Sequence, residues 1–127
     1  MGRAGHVQTR PPEYGSCISD WAQESFYYYL SNAGISVVSA DSDVFNIEDS
    51  DHWEILIPEA CKAGKWEYDY DAILKIASRL RESPELVKEG WGDAPIAEVG
   101  DIAAELLEEG VAAAKKQKCG FIAIDWW

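Results

Sequence analysis

The stretch IEDSDHWE, residues 47–54, gathers Glu48, Asp49, Asp51 and Glu54 around His52 and Trp53. Carboxylates this close to an imidazole suit two kinds of chemistry: ligation of a cation, or proton transfer by a histidine that an acid orients. A calcium loop of the EF-hand type wants Asp or Asn at alternate early positions, a glycine at the sixth and a closing glutamate. Counted from Asp41, the fifth position is Phe45 and the sixth Asn46; counted from Asp49, the fifth is Trp53. Both registers fail. Zinc fares no better, because His6 and His52 are the only histidines and Cys17, Cys61 and Cys119 lie far apart in the chain. No metal and no cofactor is expected.

Nucleophilic chemistry has one candidate, Cys17 in YGSCISDW, at the expected start of a helix whose dipole would favour the thiolate. His52 follows it in the chain. In that order the two residues resemble the papain-like cysteine peptidases of the cell-wall amidase kind. The resemblance implies Cys17 as nucleophile and His52 as base, with an acid such as Asp51 or Asp125 orienting the imidazole. No further motif surrounds His52, and a cysteine in an amphipathic helix is ordinarily a small buried hydrophobe. A glycosidase pair such as Glu48 with Glu54 has no specificity in a chain so rich in acids. GWGDAP lacks the third glycine of a dinucleotide fingerprint, and no phosphate-binding loop of the GxxxxGK[ST] type occurs. No catalytic residue is assigned, and the chain is expected not to be an enzyme.

Charge carries more information. The net charge is −12, and its distribution is uneven. Between Pro11 and Cys61 there are ten acids and no Lys or Arg, and between Glu89 and Ala114 seven more, again with no base. Such segregation opposes folding, since like charges one helical turn apart destabilise a helix by about 0.2–0.5 kcal/mol per pair. Solubility and the helix dipole explain some of it. A surface shaped to meet a cationic partner explains the rest. The expected contact residues are Asp41, Asp43, Glu48, Asp49, Asp51 and Glu54 in the first stretch and Glu98, Asp101, Glu105, Glu108 and Glu109 in the second. Trp91 and Tyr28 are the expected aromatic anchors.

In charge, size and lack of a catalytic constellation the chain is similar to two groups of small acidic bacterial proteins. One comprises phage and plasmid inhibitors of host defence, the anti-CRISPR and anti-restriction proteins; the other comprises immunity proteins that neutralise toxic nucleases. No motif carries the likeness. It implies an inhibitor that mimics DNA in charge and occludes the basic surface of a nucleic-acid-binding protein or complex, with immunity against a nuclease as the alternative. A cysteine hydrolase built on Cys17 and His52 is a second alternative. Direct nucleic-acid binding is disfavoured by repulsion, and no window approaches the roughly 20 apolar residues that a membrane span needs. The odd, widely spaced cysteines suit a reducing compartment, the cytoplasm.

The elements that must position these residues follow from periodicity. Residues 1–12 read as a flexible leader and 13–127 as a single α+β domain. Ser16 caps a helix from Cys17 to Leu30 that Gly34 stops, and of Tyr27, Tyr28 and Tyr29 at least one ring must be exposed. ISVVSA, DVFNI and HWEILI read as short strands, the last ended by Pro58. DYDAILKIASRLR puts Ile73, Ile76, Ala77 and Leu80 on one helical face, and Ser83-Pro84-Glu85 opens a short further helix. A helix carrying Val99, Ile102, Ala103, Leu106, Leu107 and Val111 runs to a C′ glycine at Gly120. FIAIDWW is a central strand, in which Trp126, like Trp53 upstream, reads as core. The expected architecture is a small antiparallel or mixed sheet of about four strands against three to four helices, in the order helix, strands, helices, strand.

Overall fold

In the computed structural model, residues 4–7, 17–19, 23–39, 52–83 and 96–126 are described. They form an α+β fold. Strands β1 (Ala4–Val7) and β2 (Cys17–Ser19) precede helix α1 (Gln23–Asn32), then β3 (Val37–Ser39) and β4 (His52–Leu56). A hairpin of β5 (Glu59–Lys62) and β6 (Lys65–Tyr68) leads to α2 (Tyr70–Glu82), α3 (Ile96–Gln117) and β7 (Phe121–Trp126). The main sheet is antiparallel, in the order β2-β1-β7-β4-β3, and β5-β6 forms a separate two-stranded sheet.

Three expectations about the first elements change. Residues 4–7, read as leader, form a strand between β2 and β7, and Val7 is buried in the core. Cys17 begins a strand rather than a helix, and α1 starts only at Gln23. The element order therefore opens with strands. The physical reason is shared: backbone pairing with a distant partner, invisible in a three- or four-residue window, outweighs local helical spacing. Ser83, read as the N-cap of a further helix, is the C-cap of α2, its N–H donating to Arg79 O at 2.8 Å; DVFNI, Pro84-Glu85 and the Trp91 loop lie outside the described residues.

Where apolar spacing is long, expectation and structure agree. Ile73, Ile76, Ala77 and Leu80 of α2 are buried, as are Val99, Ala103, Leu106, Leu107 and Val111 of α3. Asp69 caps α2, its carboxylate accepting from Ala72 N at 3.2 Å. β7 is central, and its inward Ile122 and Ile124 oppose Ile55 and Trp53 of β4. Tyr27 packs on Trp53 with ring centroids 5.3 Å apart. Tyr27 and Tyr29 are buried, and Tyr28 is 62% exposed.

Two helix ends use left-handed backbone differently. Gly34 (φ 84°) ends α1, with Ile35 N donating to Leu30 O in a Schellman pattern. At the end of α3 the left-handed residue is Lys118 (φ 55°), not the expected Gly120. Gly120 serves close approach instead, because a Cβ there would strike the Tyr68 ring. The hairpin thus packs against the α3–β7 corner. Its own two-residue turn, Ala63-Gly64, has both φ values positive (51° and 78°), the type I′ geometry that matches strand twist.

Candidate functional site

The chemistry-bearing residues meet on the sheet. Antiparallel register sets Cys17 opposite His6, His6 opposite Asp125, and Asp125 opposite His52. Four adjacent strands, β2, β1, β7 and β4, thereby contribute one residue each to a single cross-strand row. Directly opposed residues in antiparallel strands share a face. On β4 and β7 this is the face of Glu54, Leu56, Ala123 and Phe121, and the alternate residues Trp53, Ile55, Ile122 and Ile124 point to the core.

Within the row, His52 Nδ1 donates to Asp125 Oδ1 at 2.5 Å, while Nε2 lies 3.4 Å from Glu54 Oε1. The expected role of Asp125, orienting the His52 imidazole, matches this geometry; Asp51, the other acid considered, lies outside the described residues. Burial pulls the His52 pKa down, but hydrogen bonds to Asp125 and Glu54, reinforced by their charges, hold it above the ordinary 6.5. Two carboxylates on two ring nitrogens favour the doubly protonated ring. His6 differs. Burial lowers its pKa below 6.5, and the charge of Asp125 only partly opposes that.

This split is directly testable. In a proton NMR titration the His52 midpoint lies above 6.5 and the His6 midpoint below it. In Asp125→Asn both midpoints fall, because one histidine loses a bonded acceptor and the other a nearby negative charge. The contributions to stability have opposite signs. That of His52 is complete below pH 6.5 and fades as pH rises through its raised folded-state midpoint. His6 loses stability as pH falls below 6.5 through its lowered midpoint.

Cys17 and His52 stand on strands that are not neighbours, three strand spacings of about 4.7–4.9 Å apart. Among the described residues no group of three or more His, Cys, Asp or Glu can hold a metal ion. Cys61 and Cys119 are free thiols.

The expected contact residues disperse into several environments. Asp41, Asp43, Glu48, Asp49, Asp51 and Trp91 lie outside the described residues. Glu98 falls within α3, whereas Glu54 is engaged with His52. Glu108 Oε1 meets Arg81 Nη1 of α2 at 2.5 Å, so the packing of α2 on α3 neutralises one acid of that helix. Glu109 is half-buried and also engaged within the chain. Asp101 and Glu105 are exposed. They stand one turn apart on α3, with side chains about 5–6 Å from each other.

His6 and Cys17 were missed as one neighbourhood because nothing in their local sequence pairs them. The segments AGHV and CIS are too short for β propensity to separate the first from loop or the second from the helical spacing that follows it. Among the described residues no helix is long and apolar enough to cross a membrane. No known protein family, characterised protein or solved structure matches the chain.

Proposed function

We propose that this protein is an acidic inhibitor that docks on, and occludes, a basic nucleic-acid-binding surface of a protein target, of the phage or mobile-element anti-CRISPR or anti-restriction kind. The observation that carries the reading is the outer side of α3. Asp101 and Glu105 project there in succession and make no ion pair with another described residue, on a helix whose opposite side is packed into the core. An ordered row of unneutralised carboxylates on a rigid element has the sign and reach of a phosphate backbone. It accelerates encounter with a cationic groove and fixes register there. Exposed Tyr28 offers aromatic contact area of the kind that anchors interfaces. The same surface suits immunity against a basic nuclease, so target identity separates the two roles.

The test is capture from a bacterial lysate on the immobilised full chain at low and at high salt, with duplex DNA as competitor. The expected result is retention of a nucleic-acid-binding protein that high salt or DNA releases. Asp101→Lys/Glu105→Lys lowers affinity at least about tenfold, or about 1.4 kcal/mol, without altering the circular dichroism spectrum. Retention indifferent to salt, DNA and charge reversal overturns the reading.

A further inference from the structure

We propose that the cleft between the β5–β6 hairpin, the start of α2 and the end of α3 binds a mononucleotide, with the phosphate held by Lys62, Lys115 and Lys118 and the body laid against Tyr68 and Tyr70. This site is independent of the inhibitor reading, because it shares no residue with the acidic face of α3.

The first observation is where the cations lie. The chain has 11 Lys and Arg against 23 Asp and Glu, yet three lysines from two distant parts of the sequence line one cleft of about 550 Å³. Among the described residues none of the three makes an ion pair. Lys65 stands directly opposite Lys62 across the hairpin, a like-charge pairing that destabilises the strands carrying it. The dipole of α3 accounts for Lys115 and Lys118 at its negative end. It does not account for Lys62.

Backbone strain gathers at the same place. Among the described residues the non-glycine positions with positive φ are Ala63 (51°) and Lys118 (55°). Left-handed backbone is costly for a residue with a Cβ, and such residues collect at ligand sites. Ala63 directly follows Lys62, and Lys118 is itself part of the lining.

The aromatic wall is fixed before any ligand arrives. Tyr70 Oη donates to Cys119 O at 2.9 Å. Tyr68 meets Tyr70 edge-on with ring centroids 6.2 Å apart, and its ring lies so close to Gly120 that a Cβ there would overlap it. Lys115 Nζ sits 5.7 Å from the Tyr70 ring centroid, which holds one cation beside the wall.

Size and the acids of the lining narrow the ligand. A cleft of this volume takes a small organic molecule rather than a bare phosphate. Its acids are Glu67, Asp69 and Asp71. Asp69 is occupied by Ala72 N at 3.2 Å, which leaves Glu67 and Asp71 to repel a second anionic group and to accept from hydroxyl or amino donors. Lysines, rings and acceptors together match the phosphate, base and sugar hydroxyls of a nucleoside monophosphate. The net charge of −12 repels a longer phosphate backbone, so a single nucleotide fits where a strand does not.

The test is calorimetric titration of the full chain at low salt with AMP, GMP, CMP and UMP, and with the matching nucleosides and inorganic phosphate as partial ligands. The expected result is one site for at least one nucleotide, with Kd below about 1 mM. Its nucleoside and inorganic phosphate each bind at least about tenfold more weakly, since charge-assisted contacts and ring contacts are then no longer made together. In Lys118→Gly affinity falls at least about tenfold while the melting temperature holds or rises, because glycine adopts positive φ freely. Lys62→Gln, on the hairpin, lowers affinity likewise and tests the lysines apart from any change at the end of α3. No binding of any of the four nucleotides at millimolar concentration, nucleotide binding no tighter than that of inorganic phosphate, or full affinity in either variant overturns the proposal.

Discussion

Ile55→Ala lowers the unfolding free energy by about 2–5 kcal/mol, the range for deleting a large aliphatic side chain from a well-packed core. Ile55 is fully buried and lies on β4 between Val37 of β3 and Ile122 of β7. Three strands meet at its side chain, so the cavity left by truncation cannot close by moving one of them. Leu56, the next residue, makes the control. It points to the other face opposite Phe121 and is 37% exposed. Leu56→Ala costs clearly less than Ile55→Ala, because more than a third of its surface stays in water and its truncation leaves no enclosed cavity. Urea denaturation of both variants measures the pair. Equal losses would mean that the alternation of faces along β4 is wrong, and with it the placement of His52 and Glu54 on the face of the histidine row.

The strand itself was legible in HWEILI, whose β-branched and aromatic content favours strand and which Pro58 closes. Helices α2 and α3 were legible because their apolar stripes persist over several turns, long enough for period to outweigh composition. β1 was not. AGHV is four residues long, contains glycine and is followed by Gln8, Thr9, Arg10 and two prolines, and only its partners β2 and β7 make it a strand. β2 was read as helix because ISDWAQES carries apolar residues at helical spacing; sheet pairing overrides that local pattern. The hairpin was missed because its turn is Ala-Gly, and Ala63 tolerates positive φ less readily than the Asn or Asp that usually signals a type I′ turn.

The candidate sites divide along the same line. Asp101 and Glu105 lie on one helix, so their shared face follows from spacing alone. Members of the histidine row come from positions 6, 17, 52 and 125 and meet only through strand order. His52 and Asp125 lie far apart in the chain, and His6 and Cys17, though close in sequence, stand on different strands. The cysteine–histidine pairing considered from chain order chose His52, the histidine with a recognisable acidic neighbourhood. Topology gives Cys17 the other one. Glu108 is a further case: its bond to Arg81 depends on how α2 and α3 pack, which the charge pattern does not encode.

Gly110→Val lowers stability by about 1–3 kcal/mol or more, the cost of overpacking, even though leaving glycine inside a helix normally gains a few tenths. A Cβ at Gly110 would overlap Ile122 Cγ2, a buried atom of the central strand that has no room to retreat. The helix must then lift or rotate. Its rotation matters to the proposed docking face, because nine residues at about 100° per residue set Asp101 half a turn from Gly110, pointing away from the sheet. The glycine contact is therefore what aims the acidic row at solvent. Gly110→Ala, with the smallest possible Cβ, produces the same effect in weaker form. Denaturation gives the stability change for both variants, and the salt dependence of target capture gives the loss of aim. Full stability in Gly110→Val would show that α3 does not sit this close to β7, removing the basis for a fixed acidic face.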